Sequence, residues 1–180
     1  MASPIVLAVV TVVVVMGVAG CGKTTVAREL AQRLGVPFAD ADEFHPPANI
    51  EKMSSGVPLT DEDRWPWLRA IAHWIGERSG PGGGGGGVVT CSALRRRYRD
   101  ELVAGGPVFF VHLHGDKELI TRRVAERTDH FMPSSLVDSQ FAVLEPLADD
   151  EQGVVIDITA RPDALATEAL DAFRSWECIT

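Results

Sequence analysis

The clearest chemistry in this sequence lies in residues 17–24, which read GVAGCGKT. They match the pattern G-x-x-x-x-G-K-S/T of a phosphate-binding loop, in which glycines let several backbone N–H groups point toward one anion. In such a loop Lys23 reaches the β- and γ-phosphates of a nucleoside triphosphate, and the Thr24 hydroxyl binds Mg²⁺. An apolar strand before the loop and an amphipathic helix after it argue against a chance glycine-rich turn. We predict that ATP contacts the loop and the start of its helix: Gly17, Val18, Ala19, Gly20, Cys21, Gly22, Lys23, Thr24 and Thr25.

Two carboxylates, Asp40 and Asp42, follow the second predicted strand. An Asp-x-Asp pair at a strand end sends both side chains the same way, because side chains alternate with a period of two. Ligands of open parallel sheets lie beyond the carboxyl ends of the strands, so both carboxylates would face the metal site at Thr24. We expect Asp40 to belong to the Mg²⁺ shell and Asp42 to act as the catalytic base, although the two roles can be exchanged. A solvated turn is the alternative for the pair.

The elements that must position these residues alternate between strand and helix, which predicts a parallel sheet with helices on both faces. The predicted strands are 11–16, 36–39, 88–91, 108–113 and 154–158. The predicted helices are 23–34, 66 to about 78, 94–103, 116–127, one ending at about 144, and 162–176. Residues 40–63 are expected to be irregular, with short helical pieces such as 49–53. Pro81 and the glycines of 82–87 are expected to form a flexible surface linker.

Length, charge and cysteine content limit the function classes. The 180 residues suit one domain, predicted to be 11–180 after an N-terminal extension of residues 1–10. The net charge of −8 gives no basic field for nucleic acid or an anionic membrane. Three scattered cysteines, Cys21, Cys91 and Cys178, give no disulfide framework and favour a reducing cytoplasm.

The apolar run at residues 5–16 has two interpretations. It is shorter than the roughly 20 residues of a membrane-spanning helix, and no Lys or Arg precedes it as in a signal peptide. A buried strand that leads into the phosphate loop is therefore expected. The alternative is a membrane-tethered protein that uses residues 1–16.

Four blocks of the sequence together resemble the gluconate kinase (gluconokinase) family. They are MGVAGCGKTT at 16–25, DADEFHPPANIEKMSSGVPLTDEDRWPWL at 40–68, CSALRRRYRD at 91–100 and HFMPSSLVDSQFAVLEP at 130–146. The resemblance implies ATP- and Mg²⁺-dependent phosphorylation of D-gluconate to 6-phosphogluconate by a homodimer. It also implies a three-layer α/β fold of the P-loop kinases, with a five-stranded parallel sheet in the order 2-3-1-4-5 and a small lid. The departures are the N-terminal extension, the glycine insertion and Cys21, where the family usually has serine.

Gluconate carries a carboxylate and a chain of hydroxyls, so its site should offer a guanidinium and several polar groups. Arg64 is the candidate for the carboxylate, and His45, Lys52 and Ser92 are expected to line the site with Asp42. Each has a structural alternative. Arg64 could pair with Asp61 or Asp63, Lys52 could pair with a nearby carboxylate, His45 could order its loop, and Ser92 could end a buried strand.

A lid is expected at about residues 122–135. Arg127 would lie against the transferring phosphates, Arg123 over the adenine ring, and His130 among the substrate contacts. The turn at 160–162 resembles an adenine-contacting loop and adds Arg161 to the nucleotide site. A charged helix surface is the alternative for the arginines.

Two other functions stay open at this point, and a third, the GTPase, is disfavoured. A shikimate kinase or another small-metabolite kinase is the nearest, although in shikimate kinases a glycine triplet follows the third strand, whereas residues 82–87 precede it here. A nucleotide-binding regulator without transfer activity is a second, but it would not need Asp40 and Asp42. A GTPase would need an Asn-Lys-x-Asp guanine reader, which this sequence lacks.

Overall fold

The computed structural model describes residues 10–80, 84–126 and 134–179, in which strands and helices alternate. The strands are β1 (Val12–Met16), β2 (Phe38–Ala39), β3 (Gly87–Thr90), β4 (Val108–His114) and β5 (Gly153–Asp157). The α-helices are α1 (Lys23–Leu34), α2 (Pro47–Ser54), α3 (Asp61–Arg78), α4 (Arg96–Val103), α5 (Lys117–Ala125), α6 (Ser134–Val143) and α7 (Pro162–Glu177). A short 3₁₀ helix, Ala41–Phe44, separates β2 from α2.

The strands form one parallel sheet in the order β2-β3-β1-β4-β5, which confirms the topology that the family resemblance implied. The central strand β1 is buried along its whole length. Val13 and Val15 pack in the core beside α1 and α7. Val12, Val14 and Met16 pack in the core on the α3 and α4 side, so alternate residues serve opposite faces. The valine run is therefore a sheet strand with a helix layer on each side.

Helix α1 has the bounds that the sequence predicted, Lys23–Leu34. Glycines define both ends, because Gly22 at the N-cap and Gly35 at the C-cap have left-handed backbones with φ of 95° and 67°. Its buried face consists of Val26, Ala27, Leu30 and Ala31. The helix begins directly at Lys23, so its N-terminus is part of the phosphate loop.

Helix α3 begins at Asp61, five residues before the predicted start at Pro66, so that boundary was wrong. Thr60 accepts a hydrogen bond from the N–H of Asp63, and the Asp63 carboxylate accepts one from the N–H of Thr60. This capping box satisfies N–H groups of the first turn and starts the helix earlier. Pro66 lies inside the helix, where it forgoes one intrahelical hydrogen bond.

The predicted surface linker at 82–87 was wrong at its end, because Gly86 and Gly87 are buried and Gly87 belongs to β3. The N–H groups of Gly84 and Gly86 donate to the carbonyl oxygens of Glu77 and Arg78 at 3.1 and 3.0 Å. The second half of the run is therefore attached to the end of α3. Pro81, Gly82 and Gly83 lie outside the described residues.

Other element ends differ by one to a few residues from the prediction. Helix α4 begins at Arg96 instead of residue 94, because Ala93 has a left-handed backbone with φ 43° and turns the chain before the helix. Strand β2 is shortened to Phe38–Ala39. Of the predicted extension, Val10 pairs with Gly80 in an isolated bridge, and residues 1–9 lie outside the described part of the chain. Within the described ranges, no helix has the length and apolar character to cross a membrane.

Candidate active site

The phosphate loop joins the carboxyl end of β1 to α1. Nζ of Lys23 donates to the carbonyl oxygens of Gly17 and Val18 at 3.0 Å each, so the side chain lies back over the loop. A Cβ on Gly17 would lie 2.6 Å from the carbonyl oxygen of Leu113, and its φ is 142°. Glycine is therefore required there by both space and backbone shape. The loop can receive an anion on its N–H groups while Lys23 is available above it.

Thr24, in the first turn of α1, lies beside Asp40, which directly follows β2. The Thr24 hydroxyl donates to Oδ2 of Asp40 at 3.3 Å, and Oδ1 of Asp40 accepts the N–H of Asp42 at 3.1 Å. Among the described residues no group of three or more His, Cys, Asp or Glu side chains is arranged to hold a metal ion. One hydroxyl and one carboxylate nevertheless fit Mg²⁺, which usually keeps several waters and takes other ligands from substrate phosphates.

Asp42 is exposed, and no side chain in the described ranges donates a hydrogen bond to its carboxylate. Burial raises the pKa of the Cys91 thiol, at the end of β3, to about 12. The charges of Lys23, Asp42 and Asp40 also act on this thiol, so these three side chains lie near the same strand end. The thiol stays protonated near neutral pH and is no nucleophile. The structure thus brings Lys23, Asp40 and Asp42 together at one edge of the sheet.

His45 stacks on Trp67, with ring centroids 4.5 Å apart and an interplanar angle of 10°. Nδ2 of Asn49 lies 2.9 Å from the backbone oxygen of Asp63 and 3.3 Å from Nδ1 of His45. Because an amide nitrogen only donates, Nδ1 of His45 is an acceptor and its proton lies on Nε2. Burial lowers the pKa of His45 and outweighs the nearby Asp42, which raises it, while Arg64 lowers it further. His45 is therefore a neutral hydrogen-bond donor flanked by Asp42 and Arg64.

Arg64 lies 3.5 Å from the Asp61 carboxylate and 5.8 Å from the centre of the Tyr98 ring. Asp61 also accepts a hydrogen bond from the Tyr98 hydroxyl at 2.5 Å and pairs with Arg97. The Tyr98 hydrogen bond is the main cause that lowers the pKa of Asp61. Sequence reasoning named Asp61 only as an alternative partner and missed Tyr98 and Arg97 here. The i, i+3 spacing was a signal for the Asp61–Arg64 pair only. The contacts of Asp61 with Tyr98 and Arg97, which lie on α4, have no local signal in the sequence.

Lys52 is paired with Asp63, with Nζ 2.7 and 2.8 Å from the two carboxylate oxygens. This ion pair lowers the pKa of Asp63 to about 2. Pairing with a nearby carboxylate was the alternative to a substrate contact for Lys52. The pair links α2 to the capping box of α3. The structure does not bring Lys52 to the phosphate loop as a free cation.

Ser92 borders the loop from the end of β3. Its backbone oxygen accepts the N–H of Gly17 at 3.3 Å, and Ala93, with its left-handed backbone, follows. Ser92 is half-buried. The turn that carries it is therefore in direct contact with the phosphate loop.

The opposite side of the loop faces α5 and the end of β5. Nη2 of Arg123 donates to the carbonyl oxygen of Ile158 at 2.9 Å, which brings Arg123 to the β5–α7 turn that also contains Arg161. Arg161 is exposed and lies 3.3 Å from Asp163. Arg127 and His130, and with them half of the predicted lid, lie outside the described residues.

Known proteins resemble this chain both in sequence and in fold. A family model described as Shikimate kinase matches residues 19–174. A gluconokinase of Gluconobacter oxydans is 46% identical over 163 residues, which cover 90% of each protein. A solved gluconokinase structure from Sinorhizobium meliloti is 41% identical, with a TM-score of 0.85 and 94% of each chain covered. A sugar kinase structure from a Janibacter species is 48% identical, with a TM-score of 0.84, and covers 95% of this chain and 98% of its own. The chain therefore belongs to the gluconokinase family, within the wider group that the shikimate kinase model describes.

Proposed function

We propose that this chain transfers the γ-phosphoryl group of ATP to D-gluconate, giving ADP and 6-phosphogluconate. The observation that carries the proposal is the convergence of Lys23, the Thr24–Asp40 pair and the unengaged Asp42 carboxylate at one edge of the sheet. Relatives named as gluconokinases, at up to 46% identity over most of the chain, support gluconate as the acceptor.

The proposed reaction is an in-line displacement at the γ-phosphorus. The acceptor hydroxyl forms the new P–O bond, the bond to the β–γ bridging oxygen breaks, and Asp42 takes the hydroxyl proton. Lys23 leaves the carbonyl oxygens of Gly17 and Val18 and binds the β- and γ-phosphates. Thr24 and Asp40 would hold Mg²⁺, which neutralises phosphate charge when it is bound.

Recognition of the acceptor is assigned to the side facing α3. Arg64 would exchange its ion pair with Asp61 for the gluconate carboxylate, since a guanidinium suits a planar carboxylate. The Nε2–H of His45 would donate to a hydroxyl oxygen, and Ser92 would contact the sugar chain beside the loop. Arg123 and Arg161 are proposed for the adenine end. Arg127 and His130 keep the lid roles that the sequence predicted.

The test is release of ADP in a coupled assay across gluconate, other sugar acids and shikimate, with the product identified by mass. We expect turnover with gluconate and none with shikimate. The reverse pattern would support the shikimate kinase alternative, to which the description of the matching family model also refers. ATP binding without turnover on any acceptor would support the regulator.

The base assignment has its own test. Asp42→Asn should lower kcat at least about 100-fold, the lower end for loss of a general base, while affinity for an ATP analogue changes less than about twofold. Glu43→Gln is the matched control, because Glu43 is an exposed carboxylate next in the chain. Unchanged turnover in Asp42→Asn would remove Asp42 from the mechanism.

The homodimer is also proposed, on the family resemblance. Three exposed apolar side chains on and just after α2, Ile50, Met53 and Val57, offer surface for a partner copy. Sedimentation velocity should show twice the chain mass of 19.4 kDa, and a species at the single-chain mass would contradict the dimer.

A further inference from the structure

The side chain of Gln140, on α6, contacts the phosphate loop. The N–H of Ala19 donates to Oε1 of Gln140 at 2.6 Å, although the two residues are 121 positions apart. Ala19 is the third residue of the loop, and Gln140 is half-buried. None of the residues proposed for catalysis or substrate binding lies on α6.

The base of α6 is attached to the turn before α4. The N–H of Glu145 donates to the carbonyl oxygen of Leu94 at 2.7 Å, and the Glu145 carboxylate accepts the N–H of Arg96 at 2.5 Å. Nη1 of Arg99 donates to the backbone oxygen of Glu145 at 3.1 Å. Three hydrogen bonds therefore hold the segment that follows α6, and the helix presents Gln140 from an anchored base.

The same turn holds the loop at a second point, since the N–H of Gly17 donates to the backbone oxygen of Ser92. Gly17 and Ala19, in the first half of the loop, thus both donate their N–H groups to oxygens outside the loop, those of Ser92 and Gln140. Lys23, Thr24 and Thr25 form the first turn of α1, whose N–H groups have no intrahelical acceptor and are available to an anion. Gln140 accordingly accepts an N–H from the first half of the phosphate loop. The N–H groups at the start of α1 stay available to phosphate oxygens.

We propose that Gln140 is a positioning residue that holds the first half of the phosphate loop in its ATP-binding shape. Its side-chain oxygen bonds the N–H of Ala19 both before and after the nucleotide binds. Without this acceptor, the N–H bonds water and the loop populates other shapes, which reduces the fraction competent to bind. The inference rests on ATP binding at this loop, which is part of the proposed function.

The test is calorimetric binding of a non-hydrolysable ATP analogue with Mg²⁺ and without gluconate. We expect Gln140→Met, which keeps the side-chain length but has no oxygen, to raise Kd about 3- to 10-fold, the range of one neutral hydrogen bond. Gln140→Ala should do the same, with the KM for gluconate within about twofold of the wild type. Ser139→Ala is the control, because this exposed neighbour on α6 bonds only Leu136 within the described residues.

Three results would overturn the proposal. An unchanged Kd in Gln140→Met with a raised one in Gln140→Ala would show that the side chain acts through packing alone. Tighter binding would make Gln140 a competitor for the N–H of Ala19. An equal rise in the KM for gluconate would indicate general damage to the site. Because the readout is nucleotide binding, a wild type that binds the analogue but leaves gluconate unchanged would refute the proposed acceptor only.

Discussion

The buried guanidinium of Arg99 allows a stability change to be worked out from its contacts. Its side chain is 1% exposed, and all five N–H groups have acceptors. Two bonds reach the Glu151 carboxylate, at 2.5 and 2.9 Å. The other three reach the backbone oxygens of Ala93, Glu145 and Pro146 at 3.0–3.2 Å. Arg99 thus joins the Ser92 turn, the end of α6 and the segment before β5.

We expect Arg99→Met to lower the free energy of unfolding by about 4 kcal/mol. Removal of one partner from a buried ion pair costs about 3–5 kcal/mol, because the remaining charge is left uncompensated. Glu151 has a 5% exposed side chain, but it keeps the N–H of Ala148 as a donor at 2.9 Å and Nε of Arg96 at 3.8 Å. These two remaining groups favour the middle of that range over its upper end. For a domain of this size the loss corresponds to a fall in Tm of about 8–16 °C.

The assay is urea unfolding followed by circular dichroism, with Arg69→Met as the control. Arg69 pairs with Glu101 at 3.2 Å but is 66% exposed, so its loss should cost less than about 1 kcal/mol. In the double variant Arg99→Met/Glu151→Gln no charge is left buried, and we expect its cost to fall at least about 1 kcal/mol short of the sum of the single variants. An Arg99→Met cost equal to that of the exposed control, or strict additivity, would refute the reasoning.

Three further expectations concern pH, packing and metal dependence. Burial lowers the pKa of His112 from 6.5 to about 4, so between these pH values the unfolded chain binds a proton that the folded protein does not. The contribution of the neutral imidazole to the free energy of unfolding is therefore complete above pH 6.5 and is lost as the pH falls toward 4. Between pH 7 and 5 the wild type should lose about 2 kcal/mol more than His112→Gln in urea unfolding, and equal losses would contradict this. Gly87→Ala places a Cβ 2.6 Å from the Trp74 ring and should cost about 1–3 kcal/mol, and Trp74→Leu should reduce that cost. Thr24→Val removes the hydroxyl that we propose as a Mg²⁺ ligand and should raise the Mg²⁺ concentration for half-maximal turnover about 10-fold, whereas an unchanged titration would exclude Thr24 from the metal shell.

Much of the fold could be predicted because the signals are local. The valine run of β1, the glycines that bound α1 and the strand–helix alternation all act over a few residues, and they led to the correct helix and the correct class of sheet. Of the boundaries that failed, one had a local signal that was not used and another depended on a distant group. The start of α3 was missed because Pro66 is a strong local signal, whereas the Thr60–Asp63 capping box was overlooked. The last glycines of the run were predicted to be exposed because nothing local showed that Trp74 covers Gly87.

The sequence by itself determined the phosphate loop, the two carboxylates after β2 and the order of elements that brings them to one edge, since periodicity and parallel connection suffice for these. Only the tertiary structure decided which charges meet between elements: Lys52 of α2 with Asp63, and Arg97 of α4 with Asp61. It alone brought Gln140 to the loop across 121 residues. The physical reason is that side-chain partners are selected by the packing of whole elements against each other, and that packing has no short-range signature in the chain.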